Sequence, residues 1–194
     1  MKHRVVEELN LVVTFVAAIW AVFLIDLVVP GSFNFLGLAP RSLSGLIGIV
    51  TMPFLHGGWQ HILGNTIPLV ILLCLLAGSR ANSYSIVPGI VLLGGALLWI
   101  FGRSNSIHVG ASGLIYGLIA FLIVAGVLEK RIVPLLIALF VGFTYGATLL
   151  GGILPITVGD DVSWDGHLTG AIAGAIVAYA SVSAEPTSSG NAVA

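Results

Sequence analysis

The chain has 194 residues, 58% of them hydrophobic and 8% charged, with a mean hydropathy of +1.12. Soluble domains carry about 25% charged residues. The 7 Lys+Arg and 8 Asp+Glu of this chain cannot coat a surface facing water, so most of that surface faces lipid. A net charge of −1 excludes the basic face that phosphate neutralisation needs, and a single cysteine, Cys74 in an apolar run, excludes a disulfide scaffold.

A helix crosses a hydrocarbon core about 30 Å thick with about 20 apolar residues, and six stretches qualify. Leu9–Val29 is the first, apolar apart from Asn10, Thr14 and Asp26, and Val29-Pro30-Gly31 ends it. Its apolar core exceeds the roughly 7–15 residues of a signal-peptide core and no small-x-small site follows, so it is expected to stay in place as a span. The second stretch runs from near Trp59 to Ala77 and holds His61, Asn65 and Pro68. The third is Ser83–Phe101, the fourth Ser112–Leu128, the fifth Ile132–Leu154 and the sixth Gly166–Ala184. None alternates as a barrel strand does. The expected fold is therefore an all-α membrane protein, a bundle of six transmembrane helices. One domain over residues 1–184 is expected, followed by a flexible tail at 185–194, with no soluble domain at either end.

Six spans put Lys2, Arg4, Arg80, Lys130 and Arg131 on the side of both termini, and Arg41 and Arg103 on the other. This five-to-two bias places both termini in the cytoplasm of a multi-pass cell-membrane protein. Asp160, Asp161 and Asp165 then lie on the outer side.

Polar side chains inside spans are costly and mark function by default. His61 and Asn65 fall in the first two turns of the second span, Ser112 opens the fourth and His167 opens the sixth. All three of these spans start outside, so the four residues reach one depth in the outer half of the bilayer. His61 and Asn65 share a face through i, i+4 spacing, as do Ser112 and Tyr116. Gly113 and Gly117 on the fourth span, and Gly166, Gly170 and Gly174 on the sixth, form small-xxx-small faces. Such faces let helices pack closely enough for a hydroxyl and an imidazole to meet. A neutral imidazole activates a serine by taking its proton. Ser112 lies at a helix start, where backbone N–H groups are unpaired, and His61 and Asn65 add side-chain donors for an oxyanion. Nucleophile, base and oxyanion donors together indicate acyl transfer.

Gly110-Ala111-Ser112-Gly113 with Tyr116 and Gly117 resembles the catalytic motif of the rhomboid family of intramembrane serine proteases. Gly166-His167-Leu168-Thr169-Gly170 resembles that family's last span, and His56-Gly-Gly-Trp-Gln-His61-Ile-Leu-Gly-Asn65 its second. The likeness covers nearly the whole chain. It implies a six-helix rhomboid core and a dyad of Ser112 as nucleophile and His167 as base. It also implies an oxyanion hole from the Ser112 N–H, His61 and Asn65, with Tyr116 packing on the imidazole. Gly113 and Gly170 would form the close contact of the fourth and sixth spans. The substrates implied are single-pass transmembrane proteins, cut within or beside the membrane near the outer face without metal, cofactor or nucleic acid, entering past the fifth span. Two departures stand out: residues 30–55 hold no Trp-Arg pair, and Gly166 replaces the alanine common before the histidine.

Other residues invite plainer readings. His56 and His108 read as structural loop histidines near the site mouth, and His3 as an exposed terminal residue. Asp26 is expected at the interface or in a water pocket, and Asp165 off the face that carries His167. Rival chemistries fit less well. No His is followed by Glu, as an HExxH metal motif requires; Thr157-Val158-Gly159-Asp160 lacks the first Gly of the aspartyl type; Leu114 breaks the G-x-S-x-G elbow. A transporter would show an internal repeat and polar groups through the full membrane depth, and an inactive relative would lack the serine or the histidine.

Overall fold

A computed structural model describes residues 2–79, 82–157 and 162–184. Arg80, Asp160, Asp161 and the tail at 185–194 lie outside the described residues. Among the described residues six helices are long and apolar enough to cross a membrane: α1 (Lys2–Val28), α2 (Trp59–Ser79), α3 (Ser83–Phe101), α4 (Ser112–Glu129), α5 (Ile132–Ile153) and α6 (Trp164–Ser183). The expected all-α bundle is the observed fold. Helix α1 begins seven residues before the apolar stretch, because nothing in the polar segment ahead of Leu9 breaks a helix. The Glu8 carboxylate there is buried and accepts the Ser83 N–H at 3.0 Å, satisfying a donor that the start of α3 leaves free.

The hydrophobic pattern decides which helix sits in the middle. Helix α4 is apolar on all sides, and 61% of its apolar window is buried, against 17% for α1 and for α5. A helix with no polar stripe has to be surrounded. Ile115, Leu118, Ile119, Phe121 and Leu122 accordingly share one core with Leu69, Leu72 and Leu76 of α2, Ile86 and Ile90 of α3 and Val141 of α5. Lys130, in the left-handed conformation at φ 53°, ends α4.

Between α4 and α6 the backbones themselves touch. A Cβ added to Gly170 would collide with the Gly113 carbonyl oxygen and lie 2.8 Å from its carbon. One turn deeper, a Cβ on Gly174 would collide with the Gly117 carbonyl oxygen. Helix α3 closes on the same seam, since a Cβ at Gly94 would stand 3.4 Å from the Gly170 Cα.

On the side where α2, α4 and α6 begin, the loops are joined to one another. Asp26 at the end of α1 accepts the Phe33 N–H at 2.5 Å and the Ser32 hydroxyl at 3.2 Å, so it organises the loop that follows. That loop folds into short apolar helical turns over Ser44–Phe54. Leu38 pairs with His108 through both backbone hydrogen bonds, at 3.0 and 2.8 Å. The Trp99 indole donates to the Ser42 carbonyl at 2.8 Å, and Gly110 N–H to the Met52 carbonyl at 2.9 Å. The segment leading into Ser112 is thereby held on a fixed support.

Candidate active site

The three helix starts open onto one cavity of about 390 Å³. His61 and Asn65 of α2, Ser112 of α4 and His167 of α6 all line it, with Gln60, His108 and Ser163 among their neighbours. The four residues that the sequence places at one depth therefore share one space.

Ser112 is the first residue of α4; Ala111 occupies the cap position and no side chain caps the helix. The hydroxyl is thus not consumed in capping, and among the described residues it has no hydrogen-bond partner, His167 included. Two residues earlier, Gly110 has φ +111°, a conformation side chains rarely adopt. Glycine is needed there for space as well. A Cβ would collide with the His61 ring, 2.7 Å from Cε1, and stand 3.4 Å from Asn65 Nδ2. The α2 side chains are pressed against the backbone that delivers Ser112.

His167 is buried at the start of α6, and its ring lies flat on Tyr116, with centroids 4.0 Å apart and planes 5° from parallel. His167 Nδ1 lies 3.0 Å from the Gly152 carbonyl oxygen. A carbonyl only accepts, so Nδ1 carries the proton and Nε2 of the neutral ring keeps its lone pair. Tyr116 is itself anchored, its hydroxyl donating to the Thr148 carbonyl at 3.0 Å. Helix α5 thus orients the histidine twice over, by Gly152 directly and by Thr148 through the tyrosine. A Cβ on Gly152 would collide with the Tyr116 hydroxyl. Sequence reasoning missed Gly152 and Thr148; the Gly151-Gly152 pair at the end of the fifth span was the available sign of a close approach.

Asn65 is buried, and its Nδ2 has no hydrogen-bond partner among the described residues. Leaving such a donor unpaired costs about 1–3 kcal/mol. His61 Nδ1 receives a long hydrogen bond, 3.5 Å, from the Gly57 N–H, which leaves Nε2 as the N–H side of the ring. His56 packs edge-on against His61 with centroids 5.0 Å apart. Burial, and after it the neighbouring His61, hold the His56 imidazole down at about 4, so the ring of His56 is uncharged at neutral pH. His108 is also buried, which pushes its value down, while Asp165 opposes that shift. Asp165 does not approach the imidazole of His167 in any hydrogen bond; it accepts from the Arg103 backbone N–H at 2.9 Å. Among the described residues no three His, Cys, Asp or Glu side chains converge as a metal site.

The family model of the Rhomboid domain matches residues 43–184. Uncharacterized proteins of Mycobacterium tuberculosis and Mycobacterium bovis are 38% identical to the chain over 174 residues, 87% of this chain and 72% of theirs. One of Mycobacterium leprae has the same identity over 69% of its own length. No solved structure matches the chain. The matched region runs from the loop after α1 through α6 and contains every residue that lines the cavity, so the chain belongs to the rhomboid family of intramembrane proteases.

Proposed function

We propose that the protein is a serine endopeptidase that cleaves transmembrane proteins within or near their membrane span, with Ser112 as nucleophile and His167 as general base. The observation that carries this reading is the hydrogen bond from His167 Nδ1 to the Gly152 carbonyl, because it leaves Nε2 free to accept a proton in the cavity that Ser112 shares. Nε2 takes the hydroxyl proton as Ser112 Oγ attacks the scissile carbonyl, then returns it to the departing amine. A water deprotonated by the same nitrogen opens the acyl ester. The Ser112 N–H, Asn65 Nδ2 and His61 Nε2–H are the donors for the oxyanion. Gly110 and the Gly113–Gly170 contact keep those donors and the dyad in place. The charge bias puts both termini in the cytoplasm and the cavity on the outer half of the cell membrane.

The test is covalent capture. A fluorophosphonate probe is expected to label the wild-type protein in detergent and to leave Ser112→Ala unlabelled; labelling of Ser112→Ala, or its retained cleavage of a transmembrane substrate, overturns the assignment. A second measurement addresses the oxyanion. Asn65→Ala is expected to slow cleavage by about 10²–10³ with the fold intact, whereas an effect on thermal stability alone assigns Asn65 to packing.

A further inference from the structure

The glycine seam between α4 and α6 sets how near the two helices lie, and their offset along the axes is a separate coordinate that ties at the helix ends can fix. Outside the seam, a group of buried and half-buried polar side chains joins the segment before Ser112 to the first turn of α6. Arg103, just after α3, donates its backbone N–H to Asp165 Oδ2 at 2.9 Å, and its Nη2 reaches Asp165 Oδ1 at 3.4 Å and the Val162 carbonyl at 3.0 Å. His108 stands between these elements. Its Nδ1 is 2.6 Å from Ser163 Oγ, its Nε2 is 2.9 Å from Ser106 Oγ, and Asp165 Oδ2 is 3.7 Å from Nε2. Only 2% of the His108 side chain and 6% of that of Asp165 are exposed.

The donors and acceptors close on one arrangement. The Ser106 hydroxyl spends its proton on the Arg103 carbonyl at 2.9 Å, so His108 Nε2 carries a proton and donates to Ser106. With the ring neutral, Nδ1 accepts from the Ser163 hydroxyl at 2.6 Å, the nearer of that hydroxyl's two acceptors, since Asp165 Oδ1 lies 3.4 Å from it. Backbone pairing with Leu38 fixes His108 from its other side. Ser112 follows His108 by four residues, and His167 follows Ser163 by four and Asp165 by two. Each end of the network is thus tied by a short, constrained stretch of chain to one of the two reacting groups.

We propose that His108 and Asp165, braced by Arg103 and Ser163, are positioning residues: they lock the segment ahead of Ser112 to the start of α6 and so set the axial register of nucleophile and base. The inference rests on the proteolytic reading above. Misplacement by about 1 Å is enough to cost on the order of 10² in rate, and the loss falls on the chemical step rather than on substrate binding.

The experiment compares His108→Gln, Asp165→Asn and Arg103→Ala with wild type, measuring kcat and KM on a transmembrane substrate and the rate and end-point of fluorophosphonate capture. His108→Gln and Asp165→Asn are expected to lower kcat and capture rate together by about 10–100-fold, with KM unchanged and the capture end-point preserved. Arg103→Ala keeps the backbone N–H on Asp165 and has a side chain 39% exposed, so it folds most readily; its expected loss is under about tenfold. Ser163→Thr, which keeps the hydroxyl, is expected to be faster than Ser163→Ala. Wild-type capture rates in His108→Gln and Asp165→Asn, or a fall in end-point without a fall in rate, overturn the positioning role alone. A wild-type protein that the probe does not label overturns the proteolytic reading with it.

Discussion

His167→Ala is expected to reduce cleavage of a transmembrane substrate by about 10⁴-fold or more, leaving only the residual rate that oxyanion donors and binding sustain. Without Nε2 the Ser112 proton has no base to take it, since among the described residues the hydroxyl has no hydrogen-bond partner. The substitution also removes the ring stacked on Tyr116 and the hydrogen bond to Gly152, so melting temperature is to be measured beside initial rates. A rate within tenfold of wild type, on protein of unchanged helix content, would falsify the assignment of the base.

The second large effect is expected at Gly170→Val. The new Cβ would overlap the Gly113 carbonyl, and the atoms it meets are all backbone, so no flexible side chain can swing away. The two helices must separate, at a cost of about 1–3 kcal/mol or more, and the separation carries Ser112 away from His167. Both melting temperature and cleavage rate should fall, the rate by about 10² beyond the loss of folded protein. Gly174→Val makes the same overlap with the Gly117 carbonyl one turn deeper, away from the cavity, and is expected to lose stability with a smaller effect per folded molecule. Wild-type rate and melting temperature in Gly170→Val contradict the contact.

Much of this architecture is written locally in the chain. Span lengths follow from runs of apolar residues, so α3 appears at its expected bounds and α2 ends two residues beyond Ala77. Ser112, His61, Asn65 and His167 were legible because polar groups inside apolar runs are few, and topology alone sets their common depth. The partners of those residues were harder to see. Gly152 lies 15 residues before His167 and contributes a carbonyl that every residue possesses; no side-chain pattern announces it. The tie from His108 to Ser163 spans 55 residues, and that from Arg103 to Asp165 spans 62, with loop residues whose spacing has no period to read. Asp165 illustrates the limit. Helical geometry correctly places it off the histidine face, yet says nothing of the arginine that waits for it in another loop.

The choice of a peptide oxygen to hold the His167 ring has one more consequence. An aspartate in that position would lose its charge in acid and release the ring; an amide carbonyl has no such proton to gain. The contact that aims the histidine is therefore insulated from acid, and a change of pH cannot release the ring by neutralising the group that steadies it there.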